Sequence, residues 1–112
     1  MIEISVSASA ATLTVIGDLD LAERSRFPEV TARVAGLRSG RLVVDLCRAT
    51  FVDSTGAAFL MTLASSTTKS GGSAVLRGAE DKELFVLEVC GALELFQLEK
   101  DHRCDDRGEP PA

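Results

Sequence analysis

The residues best equipped for chemistry lie in one short stretch. Val43-Val44-Asp45-Leu46 is followed by Phe51-Val52-Asp53-Ser54-Thr55-Gly56 and then by the apolar segment AAFLMTLASS. A carboxylate and two hydroxyls just ahead of such a segment suit a helix N-cap, because their oxygens accept from the first, unpaired amides. The same position suits a phosphate. Amides point outward at a helix start, and the dipole favours an anion by ~0.3–1 kcal/mol at an exposed site. A phosphoryl group on Ser54 would add roughly −1.5 to −2 charge, beside a carboxylate at Asp53 that repels it. Such a change alters the surface more than the fold, as a binding switch requires. A plain N-cap and a switch are the two readings these residues leave open.

Other chemistries lack parts. A nucleophilic Ser54 needs a general base, but the only histidine is His102 in a polar C-terminal stretch, and there is no Gly-x-Ser-x-Gly turn. Asp18 with Asp20, or Asp45 with Asp53, could be imagined as acid–base pairs, although aspartates so placed are more often turn residues. Gly71-Gly72 has no following Gly-Lys-Ser/Thr and so is not a phosphate loop. A phospho-aspartate receiver would need an acidic pair after its first strand and a late lysine in the sheet, and neither is evident. Cys47, Cys90 and Cys104 are odd in number and far apart, without a CxxC pair. That spacing argues against a zinc site or a disulfide framework. The expectation is a reduced protein, with Cys47 and Cys90 as small buried hydrophobes and Cys104 as an exposed thiol. Loop reach would also let Cys104 meet Cys47 or Cys90 under oxidation.

The whole chain must position these groups. Its 112 residues make one domain, and 46% hydrophobic with 26% charged residues can build a core. Aromatics are 4%, five Phe with no Trp or Tyr, so that core is aliphatic. The net charge of −5 and the absence of Tyr and Trp argue against a nucleic-acid partner. The start, MIEISVSASAATLTV, has no basic n-region and reads as strand, not signal peptide. No run approaches the ~18 apolar residues of a membrane span. A cytoplasmic protein is expected.

Ile2, Ile4, Val6 and then Leu13, Val15 alternate about a small-residue break at 8–11, which predicts an antiparallel hairpin. Gly17-Asp18-Leu19-Asp20 should end the second strand. A loose turn over 21–26 and a helix from about Pro28 to Leu37 follow, with Pro28 in the first turn and Phe27, Val30, Val34 and Leu37 on one face. Arg24, Arg26, Arg33 and Arg38 fall on its solvated sides. RLVVDL (41–46) reads as a buried strand, and 47–52 as a connection. The next helix carries Leu60, Leu63, Ala64 and Thr67 on one face and ends at Gly71-Gly72. A strand over 73–77, a helix over 81–89 closed by Gly91, and a strand over 95–98 complete the order ββαβαβαβ. Such alternation implies an α/β fold with a mixed, mostly parallel sheet, an N-terminal β-hairpin and helices packed on it. Residues 1–98 form the domain. Residues 99–112 are polar, carry Pro110-Pro111 and read as a disordered tail.

VVDL, a short loop, FVDSTG and an apolar helix together resemble the signature of STAS domains, specifically the bacterial anti-sigma-factor antagonists. Gly17-Asp18-Leu19-Asp20 and Val89-Cys90-Gly91-Ala92-Leu93 with Leu95-Phe96 match that family's turn and last helix–strand junction. The resemblance covers about residues 1–98. It implies that Ser54 is the phosphoacceptor, with Thr55 beside it, and that Asp20, Asp53, Thr55 and Gly56 belong to a partner-binding surface. The implied partner is an anti-sigma factor of the serine-kinase type, which the unphosphorylated antagonist binds to free a sigma factor. A PP2C-type phosphatase resets the switch. The kinase supplies nucleotide and magnesium, so no cofactor and no enzymatic activity of this chain are implied. A non-phosphorylated STAS interaction module, as a scaffold or transporter-complex subunit, is the alternative. Two departures stand out. Ala57-Ala58 replace the usual Leu-Gly after Gly56, and residues 99–112 lack the apolar spacing of the family's final helix.

Overall fold

The computed structural model describes residues 1–6, 10–36, 40–100, 102 and 104. Of the expected break at 8–11, Ala8 lies outside these, whereas Ala10 and Ala11 already belong to a strand; the helix end at Leu37, Arg38 and most of 101–112 also lie outside. The chain forms strand β1 (Ile2–Val6), β2 (Ala10–Leu19), a 3-10 turn (Leu21–Arg26), helix α1 (Phe27–Ala35), β3 (Arg41–Val52), α2 (Ser54–Lys69), β4 (Ser73–Arg77), α3 (Asp81–Val89), a second 3-10 turn (Leu93–Leu95) and β5 (Gln97–Glu99). The sheet order is β1-β2-β3-β4-β5. β1 pairs antiparallel with β2, and every other pairing is parallel. This is the expected α/β fold with its N-terminal hairpin. Among the described residues, no helix is long and apolar enough to cross a membrane.

Local chemistry sets the element ends. Pro28 lies in the first turn of α1, where its missing amide costs nothing, and Gly36 caps the helix just short of the expected end. Gly71 and Gly91 follow α2 and α3 with φ of 86° and 79°, a backbone region open to glycine. α3 begins with a capping box between Glu80 and Glu83.

Two strands run longer than expected. β2 continues through Gly17-Asp18 to Leu19, and β3 absorbs the whole presumed connection 47–52. The two pair throughout, from Ala10 opposite Arg41 to Leu19 opposite Val52, with register shifts between Thr14 and Ile16 and between Gly17 and Asp18. At each shift β3 carries one extra residue, a bulge that interrupts alternation. The core positions of β3 are therefore Leu42, Val44, Leu46, Ala49 and Val52, spaced two, two, three and three. The last strand also differs. Leu95 closes a 3-10 turn, and β5 begins at Gln97 and ends at Glu99.

One continuous core joins these β3 residues to Ile2, Leu13, Val15 and Leu76 from the other strands. Val30 and Val34 of α1, Leu60, Leu63 and Ala64 of α2, and Leu87 of α3 complete it. The opposite sheet face carries polar groups beside the buried side chains of Val43 and Val75. It includes Thr14, Asp45, Arg77 and Glu99, register neighbours across β2 to β5. Asp45 and Arg77 form an ion pair there at 3.1 Å.

The cysteines depart from expectation. Cys47, 2% exposed, is not a free thiol but is joined to Cys104 by a disulfide, with Cα atoms 5.2 Å apart. The partners are 57 residues apart in sequence, and the fold brings the segment after β5 back against β3. Cys90 is a free, half-buried thiol at the end of α3.

Candidate functional site

The start of α2 is fastened from two sides. Asp53 is its N-cap, and Oδ1 accepts from the Gly56 amide at 2.8 Å. Its other oxygen, Oδ2, accepts from the Leu21 amide at 3.3 Å. The Asp53 amide in turn donates to the Leu19 carbonyl at 3.2 Å. One residue thus ties the end of β2, the turn after it and the head of α2. Gly56 sits between them. A Cβ at this position would overlap the Leu19 carbonyl oxygen and lie 2.9 Å from Leu19 Cγ, so glycine permits the close approach.

Ser54 and Thr55 are the first two residues of that helix. Ser54 is exposed, and Thr55 is half-buried. Asp20 follows the end of β2 and caps the 3-10 segment, its Oδ1 accepting from the Ala22 amide at 3.0 Å. The structure therefore brings Asp20, Asp53, Ser54, Thr55 and Gly56 to one end of the sheet, around the junction of β2 and α2.

The imagined carboxylate pairs are separately employed. Asp18 accepts from the Thr50 hydroxyl at 2.7 Å, and Asp45 accepts from the Cys47 amide at 2.8 Å and pairs with Arg77. His102 is gathered with Cys47 and Cys104 rather than with Ser54. The arrangement presents a hydroxyl on a firm helix end.

Apolar groups escaped the sequence reading. Leu21 and Phe51 are 56% and 49% exposed, and each lies within two residues of a capping aspartate, Asp20 or Asp53. Beside Thr55, a groove of about 550 Å³ runs between α1 and α2. Phe27 and Phe59 line it, stacked with ring centroids 3.9 Å apart and planes 5° from parallel. In the sequence, Phe27 falls on the apolar face of the first helix and Phe51 in the segment 47–52, which reads as a connection.

The sequence profile described as "Mlab, STAS domain" matches residues 2–97. The chain belongs to the STAS domain family. Solved structures agree on the fold of this STAS domain. The anti-sigma factor antagonist SpoIIAA in its unphosphorylated form superposes with a TM-score of 0.73 at 13% identity, covering 90% of each chain. An anti-sigma factor antagonist from Mycobacterium paratuberculosis gives 0.70 at 20% identity, covering 88% of this chain and 83% of its own. The phosphorylated form of the Bacillus cell fate determinant SpoIIAA gives 0.67 at 15% identity, covering 97% of this chain and 100% of its own. No curated protein sequence matches the chain.

Proposed function

We propose that this STAS domain is an anti-sigma-factor antagonist switched by phosphorylation of Ser54. The observation that carries the reading is an exposed hydroxyl at the first position of α2, beside Asp53 and near the exposed apolar side chains of Leu21 and Phe51. In the unphosphorylated state this surface binds an anti-sigma factor of the serine-kinase type, and the sigma factor is released. Apolar Leu21 and Phe51 supply area that binding removes from water, while Asp20, Asp53, Thr55 and Gly56 fix the shape between them. The protein acts in the cytoplasm by binding, with no turnover of its own. The likeness to anti-sigma factor antagonists supports the reading at the level of fold.

The switch is electrostatic. A phosphoryl dianion on Ser54 sits next to the Asp53 carboxylate and inside a surface fitted to a neutral hydroxyl. A loss of a few kcal/mol lowers affinity by about 10²- to 10³-fold. The helix survives, because its Gly56 amide is already capped by Asp53. A PP2C-type phosphatase restores the hydroxyl.

The test is intact mass after incubation with ATP, magnesium and each serine-kinase-type anti-sigma factor of the same genome, with Ser54→Ala in parallel. One added phosphate on the wild type and none on the alanine form is expected. Phosphate on Ser54→Ala moves the site to Thr55 or elsewhere. No phosphate from any kinase leaves a non-phosphorylated STAS module. In binding assays Ser54→Ala should bind as the wild type does and resist inactivation, and Ser54→Glu should bind poorly. Equal binding by all three forms would sink the switch.

A further inference from the structure

We propose that the dithiol form of this protein binds Zn²⁺ through Cys47, His102 and Cys104, so that one site alternates between a disulfide and a metal. The two sulfurs and an imidazole nitrogen lie within 4.8 Å of one another. Tetrahedral zinc, with Zn–S of about 2.3 Å and Zn–N of about 2.0–2.1 Å, needs its donors roughly 3.5–3.8 Å apart. The cluster is thus gathered on the scale of a coordination shell, and the sulfurs need only separate by side-chain rotation once their bond is broken.

A buried nitrogen points to a ligand. His102 Nε2 is buried and has no hydrogen-bond partner among the described residues. A buried, unsatisfied imidazole nitrogen is unfavourable unless a donor or a metal faces its lone pair, or an acceptor faces its N–H. Gly78 makes room for the sulfurs on which such a ligand would be held. Its φ is 75°, and a Cβ there would overlap Cys47 Sγ and lie 2.9 Å from Cys104 Sγ. The missing side chain leaves room for both sulfurs at the end of β4. The cradle is also anchored, because the Cys47 amide is bonded to Asp45, which Arg77 holds.

The chemistry balances without help from the protein. Two equivalents of a low-molecular-weight thiol break the Cys47–Cys104 bond and end as their own disulfide. Each protein sulfur gains an electron and a proton. Zn²⁺ then displaces the two thiol protons and takes His102 as a neutral ligand, and water fills the fourth position. Two thiolates with an imidazole make a Cys2His set, which suits zinc. Both states tie the segment after β5 to the middle of β3.

The experiment uses the full chain, reduced with a phosphine and titrated with Co²⁺ as a spectroscopic probe, then with Zn²⁺ in competition. The expected result is one equivalent bound per chain, with thiolate-to-cobalt charge-transfer bands and tetrahedral d–d bands that zinc abolishes. The oxidised protein should show neither. Cys47→Ser and Cys104→Ser should each lose the bands. His102→Ala should weaken zinc by more than the about 10- to 100-fold that loss of an outer-shell partner costs. Cys90→Ser should bind normally. Absence of the bands in folded, reduced wild type overturns the proposal, as does unchanged affinity in His102→Ala or loss of binding in Cys90→Ser.

Discussion

Asp53 does more than precede the candidate phosphoacceptor. Its two carboxylate oxygens serve different elements, the head of α2 through Gly56 and the turn after β2 through Leu21. Replacing it with alanine leaves both amides to water or to nothing. An N-cap loss alone costs about 0.5–2 kcal/mol, and Asp53→Ala should lie at the upper end because a second bond goes with it. In a domain of this size that lowers the melting temperature by roughly 4–8 °C per kcal/mol. Asp53→Asn keeps an acceptor oxygen for the Gly56 amide and should recover most of the loss. Thermal unfolding of the three forms measures it, and equal melting of wild type and Asp53→Ala would show that the cap carries no stability. The pair also separates two roles of the carboxylate. Asp53→Asn removes the charge beside Ser54 and the acceptor for the Leu21 amide while retaining the cap, so a change in kinase-dependent release in that variant alone does not come from loss of the cap.

At the level of elements, the close approach of α2 to β2 gives a case where helix propensity and packing predict opposite signs. By propensity, Gly56→Ala should stabilise α2 by about 1 kcal/mol. By packing, the new methyl overlaps the Leu19 carbonyl oxygen, which is backbone and paired to Asp53. Overpacking of this kind costs about 1–3 kcal/mol, so the variant should unfold at lower urea and bind the partner less well, because the helix head must shift. A higher urea midpoint for Gly56→Ala would show that the junction yields freely. The same elements explain what could be read in advance. Where a short run was bounded by clear end signals, as β4 by Gly71-Gly72 and α3 by Asp81 and Gly91, the elements fell where those signals put them, over 73–77 and 81–89. In β3 the two bulges change the core spacing from two to three, so Cys47 to Val52 lost its alternation and looked like a connection. The capping cluster at Asp53 was legible because it depends on near neighbours. The exposure of Leu21 and Phe51 was not, since apolar residues in short segments read as core until the packing is known.

For the molecule as a whole, the Cys47–Cys104 bridge is the least local feature and was the least legible. Nothing within a few residues of either cysteine signals its partner, and only the completed sheet brings the chain after β5 back to β3. That distance is also what gives the bridge its leverage on stability. Closing a loop over a separation of 57 residues restricts the unfolded chain, and the chain-entropy treatment gives about 4 kcal/mol for a loop of this length. The loop spans α2, β4, α3 and β5, so the constraint acts on most of the parallel sheet. Urea unfolding of the oxidised and reduced protein, both with a chelator present, tests this directly. The reduced form should unfold at lower urea and with a steeper dependence on denaturant, because its unfolded state is more open. Cys104→Ser should behave as the reduced wild type does. Superimposable curves would mean that the bridge constrains an end already ordered in the unfolded chain. Zn²⁺ added to the reduced wild type at about 100 times its dissociation constant should return about 2.7 kcal/mol by mass action. The same addition should leave Cys104→Ser where it was, a difference that ties the recovered stability to the site and not to zinc bound elsewhere.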